Sequence, residues 1–492
     1  MKKKLKILIV APEVAPFSKT NIIAEVIGSY ATKLKEIGHD VRIITPQYRV
    51  VNERKYTLRD VIRLKDIDVT VGNEVVKINV KSSFLPDTKV QVYFIDYKPY
   101  FFREGLYRDP QNQQAYSDNH KRFTLFSKSV METLKKLQWQ PDVIHCNEWQ
   151  TGLIPFFLKF SYKKDSFFRP ISTLYTIRDF TKQGSFKGEF VSFFGLDQDM
   201  EEIKNLFVSN GNFNFLKAGI QSAHCVNSTS SKYVKQVESE GQFKDLFKSG
   251  RDKLNHVEDQ VDFNIWNPEQ DSYIPTQFTV ENLEDKEKNK KALLEEFNLQ
   301  FDDKKPVCSF ISSFIDMGGE QLLKDSFDAC LDMNLYLIIL TSREDASYEF
   351  YKKMKKKYKN RIGLQEYYDA SLEHLTVAGS DIMLLPSQHD PTGSSPVYSL
   401  RYGTVPIVYR SGDIAEIITH HDNKNNKGNG FIFNDYNRDS FLLCIKNALK
   451  FYNDREHWLI IEKNCMTGDY LKHDTIKKYE KLYNKCIKNN NS

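Results

Sequence analysis

Nothing in this sequence approaches the ~18 uninterrupted apolar residues that a membrane span needs. There is no surplus of one charge either: 70 Lys and Arg against 65 Asp and Glu leave a formal +5, too small and too evenly spread for a duplex-binding footprint. Cysteine is sparse and unpatterned. The seven, at 146, 225, 308, 330, 444, 465 and 486, form no CxxC and no metal-like cluster, so reduced thiols are expected, with no metal and no cofactor. The opening MKKKLKILIVAPEVAPF imitates a signal peptide, but Lys6 interrupts the apolar run and no small-residue cleavage site follows. A cytoplasmic protein is expected, or an organellar one if a targeting extension has been removed. No repeat of solenoid period is visible. Lys and Asn runs such as KKMKKKYKN at 352–360 and DNKNNKGNG at 422–430 read as solvated faces.

What is present is enough apolar residue for large cores: 40% of 492 residues are hydrophobic and 13% aromatic. Leu5 to Ala11 reads as a buried strand. Ile23, Val26, Ile27, Tyr30, Ala31, Leu34 and Ile37 then recur at helical spacing, Gly38 sits at the C-terminal cap position, and Val41 to Ile44 is a second strand. This is the start of a doubly wound α/β unit, whose ligands sit beyond the strand C-terminal ends, so the loop from Pro12 to Asn21 is the first place to look. The alternation resumes with strands at Val307–Ser312, Leu335–Leu340, Asp381–Leu385, Val405–Tyr409 and Phe431–Phe433, and with helices at Glu320–Cys330 and 346–358. Two α/β domains facing each other across a cleft are expected, at 1–262 and 263–470 with the boundary near Asp262, followed by a C-terminal helix and tail at 471–492.

Several segments can be read together: APEVAPFSKT at 11–20, GHDVRIITPQY at 38–48, FFREGLYRD at 101–109, YSDNHKRFTLFSKS at 116–129 and PDVIHCNEWQTGLIPFFLK at 141–159. The second half adds WNPEQD at 266–271, YYDASLEHLTVAGSDIMLLPS at 367–387 and YSLRYGTVPIV at 398–408. Together they resemble the ADP-glucose-dependent glycogen and starch synthases, retaining glucosyltransferases of the GT-B arrangement, in which two Rossmann-like domains enclose a cleft. The resemblance implies metal-free transfer of glucose from a nucleotide diphosphate, with cations and helix N-termini neutralising the leaving charge.

The resemblance also locates the departures. A KTGGL loop in the family reads KTNII here: Lys19 and Thr20 remain, while Asn21 and Ile22 replace glycines that let backbone N–H groups approach a ligand. Arg178 and Asp179 stand where the family has His and Asn. Alignment on the downstream helix puts Ser313 and Gly318 at the positions of the phosphate-neutralising Arg and Lys, and no Lys or Arg lies between Lys305 and Lys324. Asp390 occupies the place of the sugar-binding Glu, and Asp413 enters a glycine-rich loop. No catalytic position is intact. Lys19, Thr20, Tyr368, Gly393 and Gly412 remain as donor-binding candidates. Glu13, His145, Asn147, Trp149 and Gln150 are acceptor or cleft candidates, with Tyr107 beside them and Glu148 replacing an Asp. His145 reads equally as sugar contact or core residue. Asp118 and Asn119 read as a cap for the helix that follows.

The leading expectation is a catalytically impaired homologue that binds α-1,4-glucan or regulates an active synthase. One alternative is an active glucosyltransferase that uses ADP-glucose through a site rebuilt on Lys19, Arg178 and Arg410. A second is a nucleotide-sensing module that binds ADP or ADP-glucose. None of these readings involves nucleic acid or a membrane.

Overall fold

The computed structural model describes residues 4–195, 200–230, 235, 253–259, 263, 265–315, 319–343, 345–367, 369–388, 394–411, 414–422, 424–468, 470 and 475–491. Asp262 therefore lies outside the described residues.

The described residues build two large sheets, each in the doubly wound order, and a small antiparallel one of three strands. The first has ten strands. Seven of them are parallel, in the spatial order Leu254–His256, Cys225–Ser228, Ser172–Ile177, Val143–Asn147, Lys6–Val10, Asp40–Pro46 and Gln91–Asp96. An antiparallel edge, Glu74–Phe84 with Arg59–Asp60 and Ile67–Val71, continues this sheet. The second sheet has six parallel strands, in the order Ile362–Gln365, Tyr336–Leu340, Val307–Ile311, Ile382–Leu385, Val405–Tyr409 and Phe431–Phe433. Their near-continuous apolar runs fit strands covered on both faces by helices. Strand order reverses beside Lys6–Val10 in one sheet and beside Val307–Ile311 in the other, so crevices open at these two points.

Local chemistry explains how the first crevice loop is shaped. The helix Ile23–Glu36 starts where Asn21 Oδ1 accepts the Ile23 N–H at 2.8 Å. It stops at Gly38, whose φ of +102° suits a residue without Cβ. Two apolar cores result. One runs from Leu5 to Val257 and the other from Trp266 to Met466, so the chain passes from one core to the other between 257 and 266. Two segments cross over. Ile22 packs in the second core, and the C-terminal helix Thr475–Asn491 returns to the first with Tyr479, Leu482, Tyr483 and Cys486. Among the described residues no helix is long and apolar enough to cross a membrane.

Candidate functional site: a clamped interdomain cleft

The two crevices face each other, and the loop carrying Lys19 closes the space between them. Glu13 organises that loop. Its carboxylate accepts hydrogen bonds from the Thr20 backbone N–H, Thr20 Oγ1 at 2.9 Å and Tyr107 OH at 3.1 Å. The Ile22 N–H donates to the Ser313 carbonyl at 3.2 Å, so the loop docks directly on the second domain. Lys19, its side chain fully buried, pairs with Glu25 Oε1 at 2.6 Å and with Glu373 Oε2 at 2.5 Å.

Each carboxylate of this clamp has further partners. Trp266 Nε1 donates to Glu25 Oε2 at 3.0 Å, and Ser313 Oγ donates to Glu373 Oε1 at 2.8 Å. Trp266 stacks on His374 with ring centroids 3.7 Å apart, and His374 pairs with Asp271 at 2.7 Å. The helix Ala370–Gly379 presents both Glu373 and His374, and Asp369 caps it by accepting the Leu372 N–H. Burial, the largest single influence, would raise the Glu25 carboxyl, but the Lys19 charge and hydrogen bond, together with His374 and Trp266, hold it below the usual range. Glu373 is pushed upward, first by burial and then by the neighbouring Glu25 charge, against the pull of Lys19. A single ammonium cannot fully compensate both acids.

The cleft wall collects further carboxylates. Asp345 accepts from Ser312 Oγ at 2.7 Å and Thr341 Oγ1 at 2.6 Å, and Glu320 occupies the first turn of the helix Gly319–Leu331. Arg343 faces Glu366 at 2.9 Å. The cavity between Lys19, Thr20, Ser313, Tyr367 and Glu373 measures about 40 Å³. Sites for small molecules are typically ~300–1,000 Å³. Among the described residues, the space beside Lys19 is narrow and its wall carries more carboxylates than cations.

A second buried network lies deeper in the first domain. Arg178 makes a bidentate pair with Asp259, Nε–Oδ2 2.7 Å and Nη2–Oδ1 2.9 Å, and also reaches Asn147 and Glu148. Its main partner is thus Asp259, whereas the neighbouring Asp179 binds Thr181 and Lys182. Burial alone would lower the Arg178 pKa, but the Asp259 carboxylate more than reverses this and keeps it charged. Burial raises Glu148 to about 7, even with Arg178 opposing. His145 is fully buried, with Nδ1 on Tyr483 OH at 2.9 Å and Nε2 on Thr176 Oγ1 at 2.7 Å. Burial and the nearby Arg178 charge keep its imidazole neutral.

The remaining candidates are dispersed. Asn147 donates to the Val10 carbonyl, Trp149 sits among Phe123, Phe186 and Phe215, and Gln150 is buried. Asp118 is the first residue before the helix Asn119–Leu137 but does not cap it through its side chain; it binds Arg103 with two hydrogen bonds, at 2.8 and 2.6 Å. The expected capping role is replaced by an ion pair because the guanidinium competes for both carboxylate oxygens. Asn119 instead holds Arg122 and the Tyr107 carbonyl. Arg410 is exposed and donates to Asn434. Gly318, Tyr368, Asp390, Gly393, Gly412 and Asp413 lie outside the described residues. Sequence reading missed Glu25, Glu373, Asp259 and Trp266. The visible signal was WNP beside the boundary, but only folding shows that it faces Glu25.

Residues 6–249 match the starch synthase catalytic domain family, and residues 293–462 match glycosyl transferases group 1. A glycogen synthase of Chlorobium limicola is 32% identical over 495 residues, covering 99% of both chains. This chain belongs to the starch and glycogen synthase family. The glycogen synthase of Chlorobaculum tepidum is 31% identical over 490 residues, again with 99% coverage of each. Among solved structures, the catalytic domain of starch synthase IV from Arabidopsis thaliana, bound to ADP and acarbose, superposes with a TM-score of 0.87 at 23% identity, covering 99% of this chain and 100% of that one. Sucrose-phosphate synthase from Thermosynechococcus elongatus gives 0.60 at 11% identity, covering 99% and 100%. The GT-B fold, two Rossmann-like domains about a cleft, is thereby established for this member.

Proposed function

We propose that this family member is impaired in glucose transfer and serves α-1,4-glucan metabolism as a glucan-binding or regulatory partner of an active synthase. The observation that carries the reading is the clamp: Lys19, the cation retained from the KTGGL loop, is buried between Glu25 and Glu373. A departing nucleoside diphosphate needs uncommitted positive charge, and losing one preorganised stabilising group costs ~10²- to 10³-fold in rate. Ser313 supplies none and is itself bonded to Glu373. Arg178, one substitute a rebuilt site would use, is committed to Asp259, whereas Arg410 is exposed and donates to the neutral Asn434.

The test is glucose incorporation from ADP-glucose into glycogen, alongside co-sedimentation of the chain with glycogen. Turnover at least about 100-fold below a typical ~10 per second is expected, with the chain recovered in the glycogen pellet. Turnover within about tenfold of that value overturns the reading in favour of an active enzyme. ADP binding without sedimentation favours a nucleotide sensor.

A further inference from the structure

A much larger cavity, about 980 Å³, lies away from the cleft. Arg169 and Ile171 line it just before the strand Ser172–Ile177, and Ala223 and His224 line it just before Cys225–Ser228. It therefore opens at the N-terminal ends of parallel strands whose C-terminal ends face the cleft. Six residues at ~3.3 Å each put the two on the order of 20 Å apart. The helix Leu153–Phe160 and the last turns of the C-terminal helix complete its walls.

The lining is one-signed. Lys159, Lys163, Arg169, Lys253 and Lys485 surround the cavity, and among the described residues no side-chain carboxylate lines it. Among the described residues none of the five has a carboxylate ion-pair partner; Lys485 donates to the neutral Asn255 at 2.7 Å. In a chain with 65 Asp and Glu against 70 Lys and Arg, such a local surplus requires placement by the fold.

Ser222 and Gln221 add polar side chains to the lining, Ser222 being nine-tenths buried. Phe168, Leu158 and Ile171 add an apolar floor. Asn489 and Asn490 stitch the C-terminal helix to the His224 and Arg169 carbonyls. The cavity volume lies at the upper end of small-molecule sites.

We propose that this basic cavity binds a small phosphate ester, its phosphate held by Lys159, Lys253 and Lys485 and its carbon part on the Phe168 floor. The site is independent of any glucose transfer. Because Lys485 lies on the C-terminal helix, whose Tyr479 and Tyr483 pack against His145, occupancy fastens that helix to the first domain.

Calorimetric titration of the full chain with inorganic pyrophosphate at ~0.15 M salt tests the site. One saturable site is expected, weakened by at least about tenfold in a Lys159→Glu/Lys253→Glu variant and unchanged in a charge-matched Lys353→Glu/Lys356→Glu control. Both changed lysines are exposed, so melting temperatures should match the parent and show that the variants fold. Phenyl phosphate is expected to bind more tightly than inorganic phosphate, through the apolar floor. Absence of saturation up to about 10 mM, equal weakening in the control, or loss only in a Lys19 variant overturns the proposal, the last by placing the anion in the cleft.

Discussion

Lys19 is the residue on which the cleft turns. A buried ammonium between two carboxylates gains Coulomb energy, but removing it strands both acids. Lys19→Met should therefore destabilise the fold by about 3–5 kcal/mol in urea titrations, and adding Glu25→Gln and Glu373→Gln should recover most of the loss. Recovery tests electrostatics against simple loss of packing. Glu148 carries a second residue-scale prediction. Its folded pKa of about 7 lies above the unfolded value near 4.5, so the folded state holds its proton more tightly. The associated stability is fully present below pH ~4.5 and is lost as pH rises through 7. Relative to Glu148→Gln, the parent should lose up to about 3 kcal/mol across that window, read from denaturation midpoints against pH. A parallel pH dependence in both proteins would contradict it. At this scale the family resemblance implied which side chains depart from the motif, with Ser313 expected at the position of an Arg. It did not show that the retained Lys19 was already committed, because Glu373 lies 354 positions away.

Elements show how tightly the first domain is assembled. The helices Leu153–Phe160 and Phe215–Ser222 approach so closely that a Cβ on Gly219 would lie 2.9 Å from Gly152 Cα and overlap the Tyr175 ring. Gly219→Ala should cost about 1–3 kcal/mol of stability by thermal denaturation, without altering residues of the cleft. The strand and helix periods were legible in the sequence: Val405–Tyr409 and Phe431–Phe433 fall where the apolar runs place them. The antiparallel edge around Glu74–Phe84 and the small sheet of Ser185–Lys187, Val208–Ser209 and Asn212–Asn214 were not. Such short or mixed-burial strands lack a clean alternation, and pairing partners rather than local pattern define them.

The whole molecule is held closed by the Ile22 plug and the Lys19 clamp. Ile22→Asp puts a charge into the second core and should separate the domains, raising the radius of gyration by about 1 Å or more from the ~23 Å of a compact chain of this length, as measured by small-angle scattering. An unchanged scattering profile would mean that Trp266 and Gln113, which also bridge the domains, suffice.

The absence from the sequence of an apolar span, a charge surplus and patterned cysteines bounded the class of protein. Apolar periodicity then determined two α/β domains, and the motif series determined the family. These are local properties of the chain, written in spacing and residue type. Tertiary structure alone decided where the charges went. It brought Glu25 and Glu373 together around Lys19, paired Arg178 with Asp259, and gathered five cations around a cavity far from the cleft. Electrostatic energy depends on distances across the folded molecule and on burial, and composition averages both away. A chain of nearly balanced charge thus holds an acidic cleft and a basic cavity about 20 Å apart.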